Sequence, residues 1–366
     1  GSLMAPPGMV YNYTNPGYAL AGLLMEQFDT DERFYPDIMT DEVFEPLGMN
    51  RTYQRHAQAK KDGNYANSYG YKEGDDGWEL GPVELEELAK YAQGRPAGSS
   101  TWSTPIQVME MARFLMEGNS EILSESGRAS MVNAQVPIFD TPYDIDLAYG
   151  YGLTTFNGLL DNDLYYPETV WSHDGATNSF SAAFWILPEK DAAICILNSA
   201  YFTAFPLTTN EILTILTEED EDGSAEIPML EHDASQIPYR AGEYLDPLNF
   251  GRVTISQEDS RLTVSMPDLD ALGYSYQPTL MMDRDDHWYV MIDNFWYSWL
   301  FWGEEDQPSD YIVNRTMVAK RVDDTQSLLP ADFTPNRDRI DAALRESRTP
   351  MPDFLRAHPR LDSVPR

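Results

Sequence analysis

Two adjacent apolar runs constrain this chain more than any other feature in it. Ser179–Leu187 and Asp191–Asn198 are rich in β-forming residues and are joined by Pro188-Glu189-Lys190-Asp191, so they read as the two strands of one hairpin. Strands that carry apolar side chains at successive positions present them to both faces of a sheet. They are stable only where both faces are covered.

The other signals before residue 218 mix helix and strand. Asn15 followed by Pro16 reads as an N-cap with proline at the first helical position. Leu20, Leu23, Leu24 and Phe28 then recur at helical spacing, which predicts an amphipathic helix near residues 16–29. Thr104-Pro105-Ile106-Gln107 reads as a capping box, and Val108, Ala112 and Leu115 line one face before Gly118 stops the helix. A short helix is expected from Asn210 to Glu218. The fold class is therefore α+β, with an antiparallel sheet and helices over residues 1–218.

At 366 residues the chain has room for about two domains. Residues 219–238 are acidic, punctuated by glycine and proline and free of apolar periodicity, and read as a linker. From 239 to 322 the signals are short strands: Arg252–Ser256, Arg261–Ser265, Trp288–Ile292 and Tyr311–Val313, separated by Asp, Gly and Pro turns. They predict an all-β barrel or sandwich. The tail, 323–366, carries many prolines and arginines and reads as extended.

Charge and cysteine content narrow the chemistry. The net charge of −35 repels polyphosphates, which argues against nucleic acid and anionic membrane surfaces as partners. Only six lysines occur; that scarcity fits either adaptation to high salt or a generally acidic secreted or cytoplasmic protein. The longest uncharged run, Ala192–Asn210, is interrupted by Asn198, Ser199, Thr203 and Pro206 and makes a poor membrane span. No signal-peptide pattern opens the chain. Cys195 is the single cysteine, in an apolar run, and is expected to be a buried inert thiol. His56, His173, His232, His287 and His358 show no zinc-ligand spacing, so no metal or other cofactor is expected.

Two constellations carry candidate chemistry. Tyr13-Thr14-Asn15 sets a phenol and a carboxamide two residues apart at a helix start, where they can serve as proton acceptor and amide-binding group; a phenol needs a nearby cation for this work. Asn15 is also explained as a cap, and Tyr13 as a core residue. His173-Asp174-Gly175-Ala176 precedes the Phe180 strand. It places a donor at a strand edge, then a glycine where backbone can approach a ligand, then a main-chain N–H suited to an oxyanion.

In chain order, Pro6-Pro7-Gly8, the Tyr13–Gly22 run, Pro46-Leu47-Gly48-Met49, Ala97–Thr104, Tyr149-Gly150-Tyr151-Gly152, His173–Gly175 and the Phe180–Asn198 hairpin resemble the penicillin-binding, serine β-lactamase-like hydrolases. The resemblance is to their class C, D-aminopeptidase and esterase branch, and residues 239–322 are similar to the lipocalin-like barrel that many members carry. It implies that Tyr13 is the general base and leaving-group acid and that Asn15 positions the substrate amide. It further implies that His173 replaces the lysine of the Lys-Thr-Gly strand and that the Ala176 N–H, reached past Gly175, gives half of the oxyanion hole. Tyr13, Asn15 and His173 are then expected within a few ångströms of one another. A periplasmic or secreted location is also implied.

The family's nucleophile is missing. Its motif is Ser-x-x-Lys, and three residues before the six lysines stand Ala57, Gln58, Tyr69, Glu87, Leu187 and Met317. None is serine, which also excludes a circular permutation, and Gly-x-Ser-x-Gly is absent. Members of the family place sheet strands and the helix bearing the serine ahead of Tyr-x-Asn. Without that helix the Leu20 face and the Phe180 hairpin lack their packing partner. The expectation is an N-terminal companion chain or segment carrying Ser-x-x-Lys, with a small peptide, ester or amide as substrate. One alternative is a non-catalytic binding or regulatory module on a repurposed scaffold. Another is carbohydrate or lipid binding on the aromatic strands His287–Trp302.

Overall fold

A computed structural model describes residues 5–349 apart from 75–76, 85–96, 98–100, 134, 139–145, 162–163, 178, 201–204, 218–233, 285–286, 305, 315 and 323–332. Two compact units emerge, one of residues 13–137 with 145–227, the other of residues 1–12, 138–144 and 228–366. Most of the expected linker lies outside the described residues. Its last part, from Ala234, is helical, and Ile237 is buried.

In the first unit the described elements are α1 (Asn15–Phe28), α2 (Tyr35–Met39), α3 (His56–Asp62), a hairpin β1 (Ser68–Gly74) and β2 (Gly77–Val83), α4 (Pro105–Glu117), α5 (Glu125–Val132), and then strands β3 (Val136–Pro137), β4 (Asp146–Tyr149), β5 (Thr154–Asp161), β6 (Leu164–Ser172), β7 (Gly175–Ala176), β8 (Ser181–Leu187) and β9 (Ala192–Asn198), closed by α6 (Pro206–Thr217). The main sheet is antiparallel in the order β3-β4-β5-β6-β8, with β7 and β9 also on β8. The β8–β9 hairpin, from Ser181↔Asn198 to Leu187↔Ala192, turns through Pro188–Lys190 and a left-handed Asp191 with φ +48°.

Alternation along β8 feeds two separate cores. Phe184 and Ile186 pack with Trp171 and Ala193 against Ala112 and Leu115 of α4. Trp185 and Leu187 pack with Val170, Ile194 and Ile196 against Ile212, Leu213 and Leu216 of α6. A helix thus covers each face, as a doubly apolar strand requires. That coverage corrects the expectation that the Phe180 hairpin lacks its packing partner. Helix α1 does carry its apolar stripe in the open, as expected of a face without a partner: Leu20 is 57%, Leu23 and Leu24 49% and Phe28 79% exposed, while Ala19 and Gly22 are buried.

The second unit is a nearly closed antiparallel barrel. Strands β10 (Gly242–Asp246), β11 (Gly251–Glu258), β12 (Arg261–Ser265), β13 (Met281–Arg284), β14 (His287–Ile292), β15 (Phe295–Trp302), β16 (Tyr311–Val313) and β17 (Val318–Arg321) run in the order β12-β11-β10-β17-β16-β15-β14-β13. The Thr263↔Thr279 bridge and the Leu280 N–H to Leu262 O bond of 2.9 Å bring the two ends of the sheet together. The Arg321 guanidinium straps the entry to β10 by donating to the carbonyls of Tyr239 and Ala241 and to the Tyr244 hydroxyl.

The aromatic strands His287–Trp302, whose side chains read as core aromatics of a small barrel ahead of a binding face, have Trp288, Tyr297, Trp299 and Phe301 in the barrel core and nearly inaccessible. One expectation is corrected here. The tail expected to be extended contains helix α7 (Arg337–Glu346), capped by Asn336, and β18 (Arg348–Thr349), which pairs with β15. Ile340, Ala343 and Leu344 of α7 recur at helical spacing and join the barrel core. The arginines and prolines hid this stripe, since only three apolar positions carry it. Ile340→Ala is expected to cost about 2–5 kcal/mol in urea unfolding followed by tryptophan fluorescence; an unchanged midpoint would mean that the helix is peripheral.

Candidate active site

The site is built from the entry to α1, the end of β4 and the junction between β6 and β7, all within the first unit. At the entry to α1 the structure moves the helix cap by one residue from the sequence reading. Thr14, with extended backbone (φ −149°, ψ 110°), is the N-cap, and its hydroxyl accepts from the Gly17 N–H at 3.3 Å. Asn15 becomes the first helical residue. Its carboxamide is relieved of capping and faces Tyr13, whose hydroxyl lies 3.5 Å from Asn15 Oδ1, a long contact for a hydroxyl donor.

His173 occupies a break in an otherwise continuous strand. Trp171↔Ile186 and Ser172↔Trp185 on β6, and Gly175↔Ala182 and Ala176↔Ser181 on β7, keep one register against β8. Between them the His173 N–H still donates to the Phe184 carbonyl at 3.1 Å. The N–H groups of His173 and Thr177 both point to β8, the latter reaching Phe180 O at 2.9 Å. With a period of two, the Ala176 N–H points to the opposite edge. That edge is open among the described residues, because β5 ends its pairing at Thr154↔Ser172 and His173–Ala176 projects beyond it. Gly175 and Ala176 are both exposed there.

Tyr13 stands beside both Asn15 and His173. The Tyr13 and His173 rings stand 6.2 Å apart, tilted by 42°. The imidazole makes two hydrogen bonds, Nδ1 with the carbonyl of Asp174 at 2.6 Å and Nε2 with the Tyr149 hydroxyl at 3.1 Å. Tyr149, buried at the end of β4, packs edge-on to His173 with centroids 6.2 Å apart. A further phenol, Tyr18, stands near Tyr149 and Gly152; burial holds it above its ordinary range, and Tyr13 nearby adds to that. Gly152 sits at φ +92°, and a Cβ there would lie 3.8 Å from the Tyr18 hydroxyl.

Sequence reasoning named Tyr13, Asn15, His173, Gly175 and Ala176 as site residues, and the structure gathers them. Tyr149 entered only as part of the Tyr-Gly-x-Gly fingerprint, and Tyr18 only as part of the Tyr13–Gly22 run. A usable signal was present: Tyr18 lies one helical turn or so beyond Tyr13, and Tyr149 stands directly before a tight turn.

A family model described as Beta-lactamase matches residues 2–216. The unguisins hydrolase ungD' of Aspergillus campestris (strain IBT 28561) is 25% identical over 198 residues, covering 52% of this chain and 33% of that protein. The chain thus spans about a third of the length of that curated relative. In fold it is similar to the crystal structure of SurE, with a TM-score of 0.54 and 17% identity over 88% of this chain and 71% of that one. It is similar also to SurE with D-Leu, with a TM-score of 0.51 and 16% identity over 88% and 70%.

Cys195 does not offer a rival nucleophile. It lies on β9 across from Phe184, and burial pushes its thiol up to about 11. Near pH 8.5, where an ordinary thiol is about half ionised, its thiolate fraction is lower by roughly a hundredfold. Iodoacetamide at that pH is therefore expected to alkylate Cys195 on the order of a hundred times more slowly in the native chain than in guanidinium chloride. Equal rates by intact mass would overturn the assignment of an inert thiol.

Proposed function

The chain belongs to the beta-lactamase family, whose members are serine hydrolases, and from that premise we propose that it supplies the proton-transfer and oxyanion side of an acyl-transfer site for a peptide, ester or β-lactam-like amide. The nucleophile is a serine of a Ser-x-x-Lys motif on a companion segment or chain. The observation that carries this reading is the grouping of Tyr13, Asn15 and His173 beside the open edge to which the Ala176 N–H points.

In the proposed reaction Tyr13 acts as its tyrosinate, with the lysine of the companion's Ser-x-x-Lys as the neighbouring cation, and takes the proton of the serine Oγ as that oxygen attacks the substrate carbonyl carbon. The developing oxyanion is held by the Ala176 N–H and a second donor. Collapse breaks the bond to the leaving amine or alcohol, and Tyr13 returns the proton to that group. Water then attacks the acyl-enzyme as it gives a proton to Tyr13, and Tyr13 returns that proton to the departing serine Oγ. Asn15 hydrogen-bonds the substrate amide, and His173 stands against Tyr13 where the lysine of Lys-Thr-Gly stands in relatives.

Two features support a companion. None of the six lysines has serine three residues before it, so the motif must come from elsewhere if the site is catalytic. The α1 stripe of Leu20, Leu23, Leu24 and Phe28 and the outer edge of β9, which pairs with β8 alone among the described residues, are suitable surfaces to receive it. The hydrolase name of the fungal relative and the D-Leu bound in one solved SurE crystal support amides of amino acids, including D-amino acids, as the substrate class. The same lack of Ser-x-x-Lys favours a second reading, a binding module without catalysis.

A fluorophosphonate probe separates the two. The chain alone is expected to remain unlabelled, and restoring the companion should place the label on the companion. In the restored enzyme Tyr13→Phe should lower kcat by roughly 100-fold or more with folding intact, and His173→Ala by a similar factor. Stoichiometric labelling of a serine within residues 1–366 would refute the split site, and a restored protein that takes up no label would favour the binding module.

A further inference from the structure

The imidazole of His173 has both nitrogens engaged, and the chemistry of the two partners fixes which one carries the proton. A carbonyl oxygen can only accept, so the 2.6 Å contact with Asp174 O requires hydrogen on Nδ1. In the neutral ring Nε2 is then a lone pair, and at 3.1 Å the Tyr149 hydroxyl is its donor. Tyr149 is itself held from three sides. Its backbone pairs with Thr154 in the β4–β5 ladder and with Val136 of β3, its ring is buried, and the Gly150–Gly152 turn follows it directly, the Gly150 N–H donating to Leu153 O at 2.7 Å.

We infer that Tyr149 is a positioning residue: its phenol, held by the β3–β4–β5 ladder and the Gly150–Gly152 turn, fixes the orientation of His173 and keeps its imidazole in the Nδ1–H form. Held in this way, Nε2 is committed to Tyr149. The ring meets Tyr13 through a tilted face at 6.2 Å and not through an N–H bond. What His173 contributes at the cleft therefore depends on a residue that does not itself line up with the Tyr13–Asn15 pair. That a ring held like this serves acyl transfer rests on the reading above; its geometry stands on this chain alone.

The geometric part is tested without any activity. In the chain labelled with 15N-histidine, long-range 1H–15N correlation near pH 8.5, above the ordinary imidazole range, should show His173 with Nδ1 protonated and Nε2 as an acceptor. Its signals are assigned by their loss in His173→Gln. Tyr149→Phe should move the Nε2 resonance to higher frequency, as a lost donor requires, while His56 stays in place as the control for folding. An Nε2–H form in the wild type, or an unmoved Nε2 in folded Tyr149→Phe, would overturn the inference. Should that variant fail to fold, the wild-type spectrum still decides. In the restored enzyme Tyr149→Phe should lower kcat about tenfold, the scale of one net hydrogen bond, with KM nearly unchanged. A change in KM alone would mean that Tyr149 binds substrate and does not position His173.

Discussion

The first unit depends on strand β8, apolar on both faces and paired along both edges. Its side chains alternate between two cores, one closed by α4 and the other by α6. Its edges hold β9 on one side and β6 followed by β7 on the other. Because the register against β8 is unbroken through His173, the backbone at the site is positioned by the same ladder that builds the core. A slip of one residue would reverse every side chain of β8 and turn the Ala176 N–H inward. Core packing and the direction of a single N–H are therefore fixed together.

The site combines this rigid edge with a softer side-chain arrangement. The projecting His173–Ala176 segment leaves a main-chain donor exposed where β5 has ended. The His173 ring that precedes it meets both Tyr13 and Tyr149, each with centroids 6.2 Å away. Shifting the cap to Thr14 gives Asn15 to the cleft without leaving the helix N-terminus unsatisfied, since the Gly17 N–H has its acceptor. One added residue in the Tyr13–Asn15 run would undo both arrangements.

The barrel follows a different logic. Its core is aromatic and nearly inaccessible, with Trp288, Trp299, Tyr297 and Phe301 inside, so its interior is occupied by the protein itself. Helix α7 supplies Ile340, Ala343 and Leu344 to that core. The Arg321 strap ties the chain just before β10 to β17. Both devices come from segments whose composition is polar and charged.

The sequence by itself determined the local elements and the kind of residues at the site. Helix-capping and proline signals placed α1 and α4 within a residue or two, β-rich apolar runs placed the β8–β9 hairpin, and strand signals placed β11, β12, β14 and β16, because each depends on neighbours a few residues apart. The motif order singled out Tyr13, Asn15 and His173, and Tyr13 stands beside each of the other two. Only the tertiary structure decided which hydroxyl capped α1, that α4 and α6 cover the two faces of β8, that the tail helix belongs to the barrel, and that Tyr149 stands against His173. These turn on contacts between residues far apart in the chain, 24 positions for Tyr149 and His173. A strand register and a tight glycine turn bring such pairs together, and no local pattern encodes them.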